Sequence, residues 1–179
     1  MITGENLFKE SDVMGHEHNC IAKSPPVGFE EGLRAALRFI SYRSRSTKEI
    51  QRRLSGRFSL EVTDEVTKWL ITNKYLNDRQ FAVQWKDYRE RLNPKGLNLI
   101  KRELRMLGIS EEILGNVLSD ADEESNAYNA VIRFARRKLQ EDMDVQALTR
   151  LIYPYLKRRG FESTAIGAAA GRICSELFP

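Results

Sequence analysis

The sequence predicts an all-α protein, an elongated tandem array of three three-helix repeats. Beyond residue 29, apolar residues recur at the three- and four-residue spacing of amphipathic helices, and the chain holds only five prolines. Signals for helix starts and stops separate these apolar stripes. An apolar residue beside a glycine and before a serine also returns after 51 and then 52 residues, as expected of a repeat protein.

The first repeat should contain a helix over about 31–42, then a short helix, then a third helix. Ser46 followed by Glu49 is the capping-box pattern that opens the short helix. Gly56 would end that helix in the left-handed conformation, which a residue without a Cβ adopts easily. Ser59 can cap the third helix. The three apolar stripes are Leu33, Ala36, Leu37 and Ile40; Ile50 and Leu54; and Val62, Val66, Trp69 and Leu70.

The second repeat shows the same order of signals. Asn77 with Gln80 starts its first helix, which ends by Pro94. Gly108 closes the second helix, and Ser110 caps the third. The three apolar stripes are Phe81, Trp85 and Tyr88; Leu97, Ile100, Leu104 and Leu107; and Ile113, Leu114 and Val117.

The third repeat begins with a longer helix, predicted over about 124–140. Pro154 should kink or break the helix that follows, because proline removes one backbone hydrogen bond. Ser163 is expected to start the last helix. The three apolar stripes are Tyr128, Val131, Ile132, Ala135 and Leu139; Leu148, Ile152 and Leu156; and Ile166, Ile173 and Leu177.

The internal repeat defines the predicted domains, which are residues 31–76, 77–120 and 121–179. The segment before them, residues 1–30, is acidic and lacks apolar periodicity, so we expect a flexible tail. The aligned positions are Ile50, Leu54, Gly56, Phe58 and Ser59; Ile100, Leu104, Gly108, Ile109 and Ser110; and Ile152, Leu156, Gly160, Phe161 and Ser163.

No sequence pattern supports catalysis or a metal site. Both histidines, His16 and His18, lie in the tail beside Cys20, and their alternating spacing does not suit a tetrahedral zinc site. The predicted folded part has no histidine that could activate a nucleophile and no glycine-rich phosphate loop. We therefore expect a protein that is not an enzyme and needs no metal or other cofactor.

Composition also indicates a compartment. The two cysteines, Cys20 and Cys174, are too few for a disulfide framework and favour reducing conditions. No apolar run approaches the roughly 18 residues that cross a bilayer, and the N-terminus lacks the apolar core of a secretory signal. The expectation is a cytoplasmic protein that does not contact membranes.

Positive charge is concentrated in the middle of the chain. The formal net charge is only +4, yet residues 33–109 contain 18 basic and 8 acidic side chains. Such a block favours a polyanion or an acidic protein surface as partner, although basic side chains that merely solvate helices remain an alternative. The candidate binding residues, called here the predicted basic face, are Arg43, Arg45, Lys48, Arg52, Arg53, Lys95, Lys101, Arg102, Arg105, Arg136, Arg137, Lys157, Arg158 and Arg159.

Several ordered blocks of this sequence resemble the RecX family of recombinase regulators. The resemblance covers about 33–178 and departs from the family pattern at Asn77, where a second acidic residue is common, and at Pro154. The blocks are the eleven residues from Ala36 to Ser46; Glu49-Ile50 and Leu54; Tyr75-Leu76-Asn77-Asp78-Arg79-Gln80-Phe81-Ala82; Gly96, Ile100, Glu103-Leu104 and Gly108-Ile109; and Leu156-Lys157-Arg158-Arg159-Gly160-Phe161.

The resemblance implies a curved array of three-helix repeats that binds the RecA recombinase. Family members lodge in the groove of RecA filaments on single-stranded DNA and inhibit recombinase and coprotease activities in DNA repair, recombination and the SOS response. We therefore expect a monomer whose partners are the RecA filament and, as a second candidate, single-stranded DNA. The alternative is a helical module that binds DNA directly, without RecA. The first candidates for contacts are Lys48, Arg52, Lys101 and Arg105, with Lys157 and Arg158 next.

Overall fold

The computed structural model describes residues 25–92, 94–139 and 143–178, and every regular element in these ranges is an α-helix. This confirms the all-α prediction. The predicted tail falls mostly on residues 1–24, so its character lies outside the described residues, as do His16, His18 and Cys20, for which no metal site is expected. The helices are α1 (Phe29–Tyr42), α2 (Thr47–Ser55), α3 (Leu60–Thr72), α4 (Asp78–Leu92), α5 (Leu97–Met106), α6 (Glu111–Leu118), α7 (Glu123–Lys138), α8 (Val145–Arg158) and α9 (Ser163–Leu177).

The helices pack in threes, each set around a core of its own. Helices α1–α3 form the first repeat, α4–α6 the second and α7–α9 the third. Most of the buried residues belong to the predicted apolar stripes, because a surface helix turns its apolar side to the core. Tyr88, which the sequence placed in a stripe, is instead 51% exposed. The three cores contain Ala36, Ile50, Leu54, Val62, Val66, Leu70 and Leu76; Phe81, Ala82, Ile100, Leu104, Ile109, Leu114 and Val117; and Ala127, Val131, Ala135, Leu148, Ile152, Leu156, Phe161, Ala165, Ile166, Ala169, Ala170 and Ile173.

The predicted helix caps are largely confirmed. Ser46 forms a complete capping box with Glu49, in which each side chain accepts a hydrogen bond from the backbone N–H of the other residue. The Ser59 and Ser110 side chains accept from the third residue of α3 and α6. Asn77 likewise accepts from the N–H of Gln80, at 2.9 Å. Local sequence therefore determines where these helices begin.

One prediction about the glycine turns is wrong, the left-handed conformation of Gly56. Gly108 and Gly160 have φ of +86° and +82°, but Gly56 has a φ of −78°. After Gly108 and Gly160, one further residue folds back onto the helix, with Ile109 N–H donating to Leu104 O and Phe161 N–H to Leu156 O. The first repeat has an additional residue between glycine and cap, so the chain reaches Ser59 without a left-handed residue.

The third repeat differs from the prediction at Pro154. Its last helix, α9, begins at Ser163 as predicted, with Glu162 as the N-cap. Helix α8 continues through Pro154 from Val145 to Arg158, so the predicted break does not occur. Pro154 is exposed, whereas Leu148 and Ile152 are buried and hold the helix against the core. Water can reach the carbonyl that loses its hydrogen bond, so the helix tolerates the proline.

The repeats are joined by contacts at equivalent positions, which we call the first and second junctions. At the first junction, Thr47 N–H donates to Asp78 Oδ1 at 2.8 Å. At the second junction, Leu97 N–H donates to Glu123 Oε1 at 3.0 Å. In both cases an acidic first residue of the next repeat satisfies the first N–H of a preceding second helix. The positive end of that helix's dipole adds to the attraction.

A second contact also recurs at both junctions. Ser46 Oγ donates to Leu107 O at 2.6 Å, and Gly96 N–H donates to Arg159 O at 2.9 Å. Ser46 and Gly96 are the N-caps of α2 and α5, and the two carbonyls directly precede the left-handed glycines. Each repeat is therefore attached to the next at equivalent positions, through a side-chain donor at the first junction and a backbone donor at the second.

Candidate binding surface

The predicted basic face divides into paired and exposed side chains. Arg43 and Arg45 both bind Glu49, with N–O distances of 2.6 and 3.2 Å. Burial of Glu49, the largest single effect, raises its pKa, but hydrogen bonds from Arg43, the Ser46 backbone and Arg45 together lower it below the usual value. Arg45 is only 13 % exposed and its guanidinium lies 3.7 Å from the centre of the Phe39 ring. Glu49 thus offsets one of the two positive charges of this pair within the first repeat.

Glu103 gathers a second group of donors. Lys95 Nζ lies 2.6 Å and Arg89 Nε 2.7 Å from its oxygens, and Trp85 Nε1 donates to it at 2.9 Å. Burial again is the largest single effect and raises the pKa of Glu103, while these three hydrogen bonds outweigh it and lower the pKa. Lys95 therefore serves the second repeat's own structure, as does Arg89, which lies outside the predicted basic face.

A third carboxylate, Glu111, holds Arg105 and Lys101. Arg105 binds both oxygens of Glu111 through Nε and Nη2, and Lys101 Nζ lies 3.6 Å away. The hydrogen bonds from Arg105 are the main cause that lowers the pKa of Glu111 to about 2. All three side chains remain accessible to solvent, so they could still contact a partner, but two of the four leading candidate residues share one counter-charge.

The other members of the predicted basic face are exposed, with one exception. Arg159 is half-buried at the second junction, where its guanidinium donates to Pro94 O at 3.3 Å and lies 4.7 Å from the Tyr155 ring centre. Exposed residues occur in every repeat, so they form the accessible part of the predicted basic face. They are Lys48, Arg52, Arg53, Arg102, Arg136, Arg137, Lys157 and Arg158.

Sequence reasoning missed a second concentration of arginines, between α1 and α2. Arg34 and Arg38 from α1 face Arg53 and Arg57 across a cleft of about 520 Å³, which we call the arginine cleft. Only Arg53 belongs to the predicted basic face. The signal was present, because the two arginines on each side are four residues apart and so share one side of their helix or its end. The remaining lining residues are Ala35, Phe39 and Tyr42.

A more apolar groove of about 520 Å³ lies where the first and second repeats meet. Its rim includes Ser44, whose hydroxyl donates to Gln84 Oε1 at 2.7 Å. Arg43 and Arg89 also line the groove, but both are paired with carboxylates as described above. The groove could accept an apolar or aromatic group, and it lacks the uncompensated charge of the arginine cleft. Its other lining residues are Phe81, Trp85 and Tyr88.

Within the described ranges, no helix has the length and apolar content needed to span a membrane. Across the same residues, no group of three or more His, Cys, Asp or Glu side chains is arranged to hold a metal ion.

Comparisons with known proteins identify two domains by family model. Residues 33–70 match "RecX, first three-helix domain" and residues 77–118 match "RecX, second three-helix domain". The regulatory protein RecX of Bacillus subtilis (strain 168) is 34% identical over 147 residues, 80% of this chain and 55% of that protein. The RecX of Listeria monocytogenes serovar 1/2a is 32% identical over 150 residues, 82% of this chain and 55% of that protein. The chain thus spans about half the length of the curated relatives it matches.

Solved structures show the same fold. The crystal structure of RecX from Lactobacillus salivarius superposes with a TM-score of 0.72 at 22% identity, covering 84% of this chain and 97% of that one. A second crystal structure, of a regulatory protein RecX, gives a TM-score of 0.69 at 18% identity, covering 80% of this chain and 73% of that one. At these identities the two structures establish the helical-repeat fold alone.

Proposed function

Because the chain belongs to the RecX family of regulatory proteins, we propose that it binds the RecA filament on single-stranded DNA and inhibits its recombinase and coprotease activities. The observation that carries this proposal is the match of two adjacent three-helix domains to the family, supported by relatives over most of the chain. Such a protein would act in the cytoplasm as a monomer, in DNA repair, recombination and the SOS response, without chemistry of its own.

The repeat architecture supports a polymeric partner. Both junctions use hydrogen bonds at equivalent positions, so each repeat is held to the next by the same kind of attachment. A scaffold of this kind suits a partner that is itself regular, such as a nucleoprotein filament. Each repeat also exposes basic side chains, for example Arg52, Arg102 and Arg136, which complement an anionic filament.

Direct binding to DNA without RecA is a second candidate function. The arginine cleft favours it, because its four arginines are exposed and no carboxylate of the described ranges lines the cleft. Binding of this kind should weaken steeply with salt, by about 0.7–0.9 log units per neutralised phosphate for each log unit of salt. Tight binding to naked DNA that RecA does not improve would favour this candidate.

Co-sedimentation of the full chain with preformed RecA filaments across a salt series tests the proposal. We expect filament binding that is tighter than binding to naked single-stranded DNA, and inhibition of the RecA ATPase at near-stoichiometric protein. The proposal is refuted if the protein stays in the supernatant with filaments and leaves the ATPase unchanged.

A charge-reversal pair locates the contact. Arg52→Glu with Arg102→Glu alters two exposed residues of the predicted basic face, and Arg133→Glu with Arg150→Glu alters two exposed residues outside it. The first pair should weaken co-sedimentation and its salt dependence, while the second should leave both near the wild-type value. Arg105 is left unchanged because its replacement would also break the ion pair with Glu111. Equal losses in both pairs would show that the predicted basic face has no special role.

A further inference from the structure

The arginine cleft carries positive charge that no described side chain neutralises. Arg34, Arg38, Arg53 and Arg57 line it, no acidic side chain does, and none of the four forms an ion pair with another described residue. Glu30 lies one helical turn before Arg34 without pairing with it. Four like charges around one cleft repel one another, and an anion bound between them would relieve that repulsion.

The cleft differs in this respect from the other arginine groups of the chain. The guanidinium groups of Arg43, Arg89 and Arg105 each lie within 3 Å of a carboxylate oxygen of their own repeat. Their charge is used in holding helices and loops together. In the cleft the two helix walls present arginines to the space between them, as they would to a ligand that is not part of this chain.

Aromatic rings complete the arginine cleft. Arg34, Arg38 and Tyr42 follow one another at intervals of four residues, so they form one row along α1. Tyr42, at the end of the row, is 72% exposed. The ring of Phe39 also lines the cleft, and the Arg53 guanidinium lies 5.7 Å from its centre. A row of guanidinium groups that ends in an exposed ring matches a chain of phosphates that carries aromatic bases.

We propose that the arginine cleft binds single-stranded nucleic acid, with the guanidinium groups on successive phosphates and a base stacked on Tyr42. Guanidinium groups are well suited to phosphate because their planar N–H donors match its oxygens in pairs. An acidic protein surface would also satisfy the arginines, but its carboxylates are not each accompanied by an aromatic ring, as the phosphates of a nucleic acid are by their bases. A duplex is disfavoured because its bases are already stacked inside the helix and cannot reach the tyrosine.

This inference rests on the second candidate function, direct DNA binding, and deepens it by naming the cleft, the single strand and the stacked base; it does not depend on binding to RecA. Its test therefore uses naked DNA. A labelled oligothymidylate is titrated with the full chain at low salt, and binding is followed by fluorescence anisotropy. We expect saturable binding. A duplex of the same length should reach the same degree of binding only at a higher protein concentration. A protein that fails here but co-sediments with RecA filaments would overturn this inference and leave the proposed function standing.

Arginine variants locate the binding. Arg38→Gln with Arg57→Gln removes one charge from each wall of the cleft and should lower the slope of log affinity against log salt by about 1.4, since each neutralised phosphate on a single strand contributes about 0.7. Arg34→Gln with Arg53→Gln repeats the test with the other pair if the first variant loses helicity. The charge-matched control is Arg133→Gln with Arg150→Gln, in the third repeat, which should retain the wild-type slope. Equal changes in cleft and control variants would overturn the proposal.

Tyrosine variants test the stacked base. Tyr42→Ala should weaken oligothymidylate binding by about fivefold or more, and Tyr42→Phe should restore it, because stacking needs the ring and not the hydroxyl. Tyr153→Ala, which removes another exposed tyrosine far along the chain in the third repeat, is the matched control and should bind as the wild type does. Unchanged binding by Tyr42→Ala would contradict the stacking. Displacement of the oligonucleotide by polyglutamate at equal charge would also contradict it and would indicate an acidic protein as the partner.

Discussion

The two junctions occupy equivalent positions, yet they are built differently. At the first junction a side chain makes the contact, since Ser46 Oγ donates to Leu107 O. At the second the backbone makes it, since Gly96 N–H donates to Arg159 O. A Cβ on Gly96 would lie only 2.2 Å from Gly160 O, so the backbone segments around these two glycines are in direct contact, without intervening side chains. Equivalent positions can thus be joined through a serine hydroxyl or by the closer approach of two backbone segments. The second arrangement, at Gly96, tolerates fewer substitutions because a Cβ does not fit there.

Burial explains why each junction keeps its own residue. Ser46 is fully buried, and its hydroxyl both donates to Leu107 O and accepts from Glu49 N–H, so no polar group is left unsatisfied. Gly96 is buried too, but it caps α5 without a side chain. A serine there would overlap with backbone atoms of the third repeat, which cannot move without moving its helix.

The largest effect is expected from Gly96→Ala. Its Cβ would overlap with the carbonyl of Gly160 and with the N of Phe161, at 2.2 and 2.3 Å. Separating the second and third repeats should lower the free energy of unfolding by about 3 kcal/mol, at the upper end for overpacking. Urea denaturation followed by circular dichroism measures this loss. If the free energy of unfolding of the variant differs from that of the wild type by less than about 0.5 kcal/mol, the usual effect of a surface substitution, the junction can open at little cost.

The three turn glycines should respond differently to alanine. Gly108→Ala and Gly160→Ala each place a Cβ at positive φ and within 2.6 Å of a neighbour, Lys48 or Leu99. Each should cost about 2 kcal/mol, because the left-handed conformation alone costs roughly 1–2 kcal/mol. Gly56→Ala is the matched control, since Gly56 has a φ of −78° and open space around it. Its stability should change by less than about 0.5 kcal/mol; a loss as large as those of the other two would contradict the difference between the turns.

Two substitutions of Ser46 sharpen the comparison between junctions. Ser46→Ala removes the cap of α2 and leaves Leu107 O without its donor, and should cost about 1–2 kcal/mol. Ser46→Gly makes the first junction resemble the second and should cost less, since glycine is itself a fair N-cap. Thermal unfolding of both variants measures the difference. If glycine proves worse than alanine, the hydroxyl is not what distinguishes the junctions.

The smallest effect concerns pH and the carboxylate clusters inside the repeats. The pKa values of Glu49 and Glu103 are lowered in the folded protein, so each contributes stability above its unfolded value, which is lost as pH falls from about 4.5 toward the folded pKa. Glu103→Gln should therefore cost about 1 kcal/mol at neutral pH and progressively less below pH 4. Urea midpoints across this range test it. A constant difference between variant and wild type at all pH values would contradict an ionic contribution.

Local features of the sequence predicted most of the fold. The capping pattern of Ser46 and Glu49 and the stripe of Ile100 and Leu104 depend on neighbours within one or two turns, so they could be recognised without a structure. The left-handed conformation predicted for Gly56 is wrong because its turn contains the same residue types as the turns of the other repeats. One additional residue between Gly56 and the cap Ser59 gives this turn a different backbone geometry.

The candidate binding surface was harder to predict, because basic side chains pair with carboxylates that are distant in the sequence. Glu103 binds Arg89 and Lys95 from 14 and 8 residues away, and the sequence does not state which arginine finds a carboxylate. Arg34 and Arg38 were overlooked because the arginines on the opposite side of the cleft, Arg53 and Arg57, lie on α2 and just after its end. The junctions were equally hidden, since Ser46 and Leu107 are 61 residues apart.

RecA-catalysed strand exchange in the presence of the full chain tests most directly whether this repeat protein acts on the filament. Addition of near-stoichiometric protein should suppress exchange, the Arg52→Glu, Arg102→Glu variant should suppress it much less, and the Arg133→Glu, Arg150→Glu variant should act as the wild type does. Exchange that proceeds unchanged with wild-type protein at every ratio would contradict the proposed regulation.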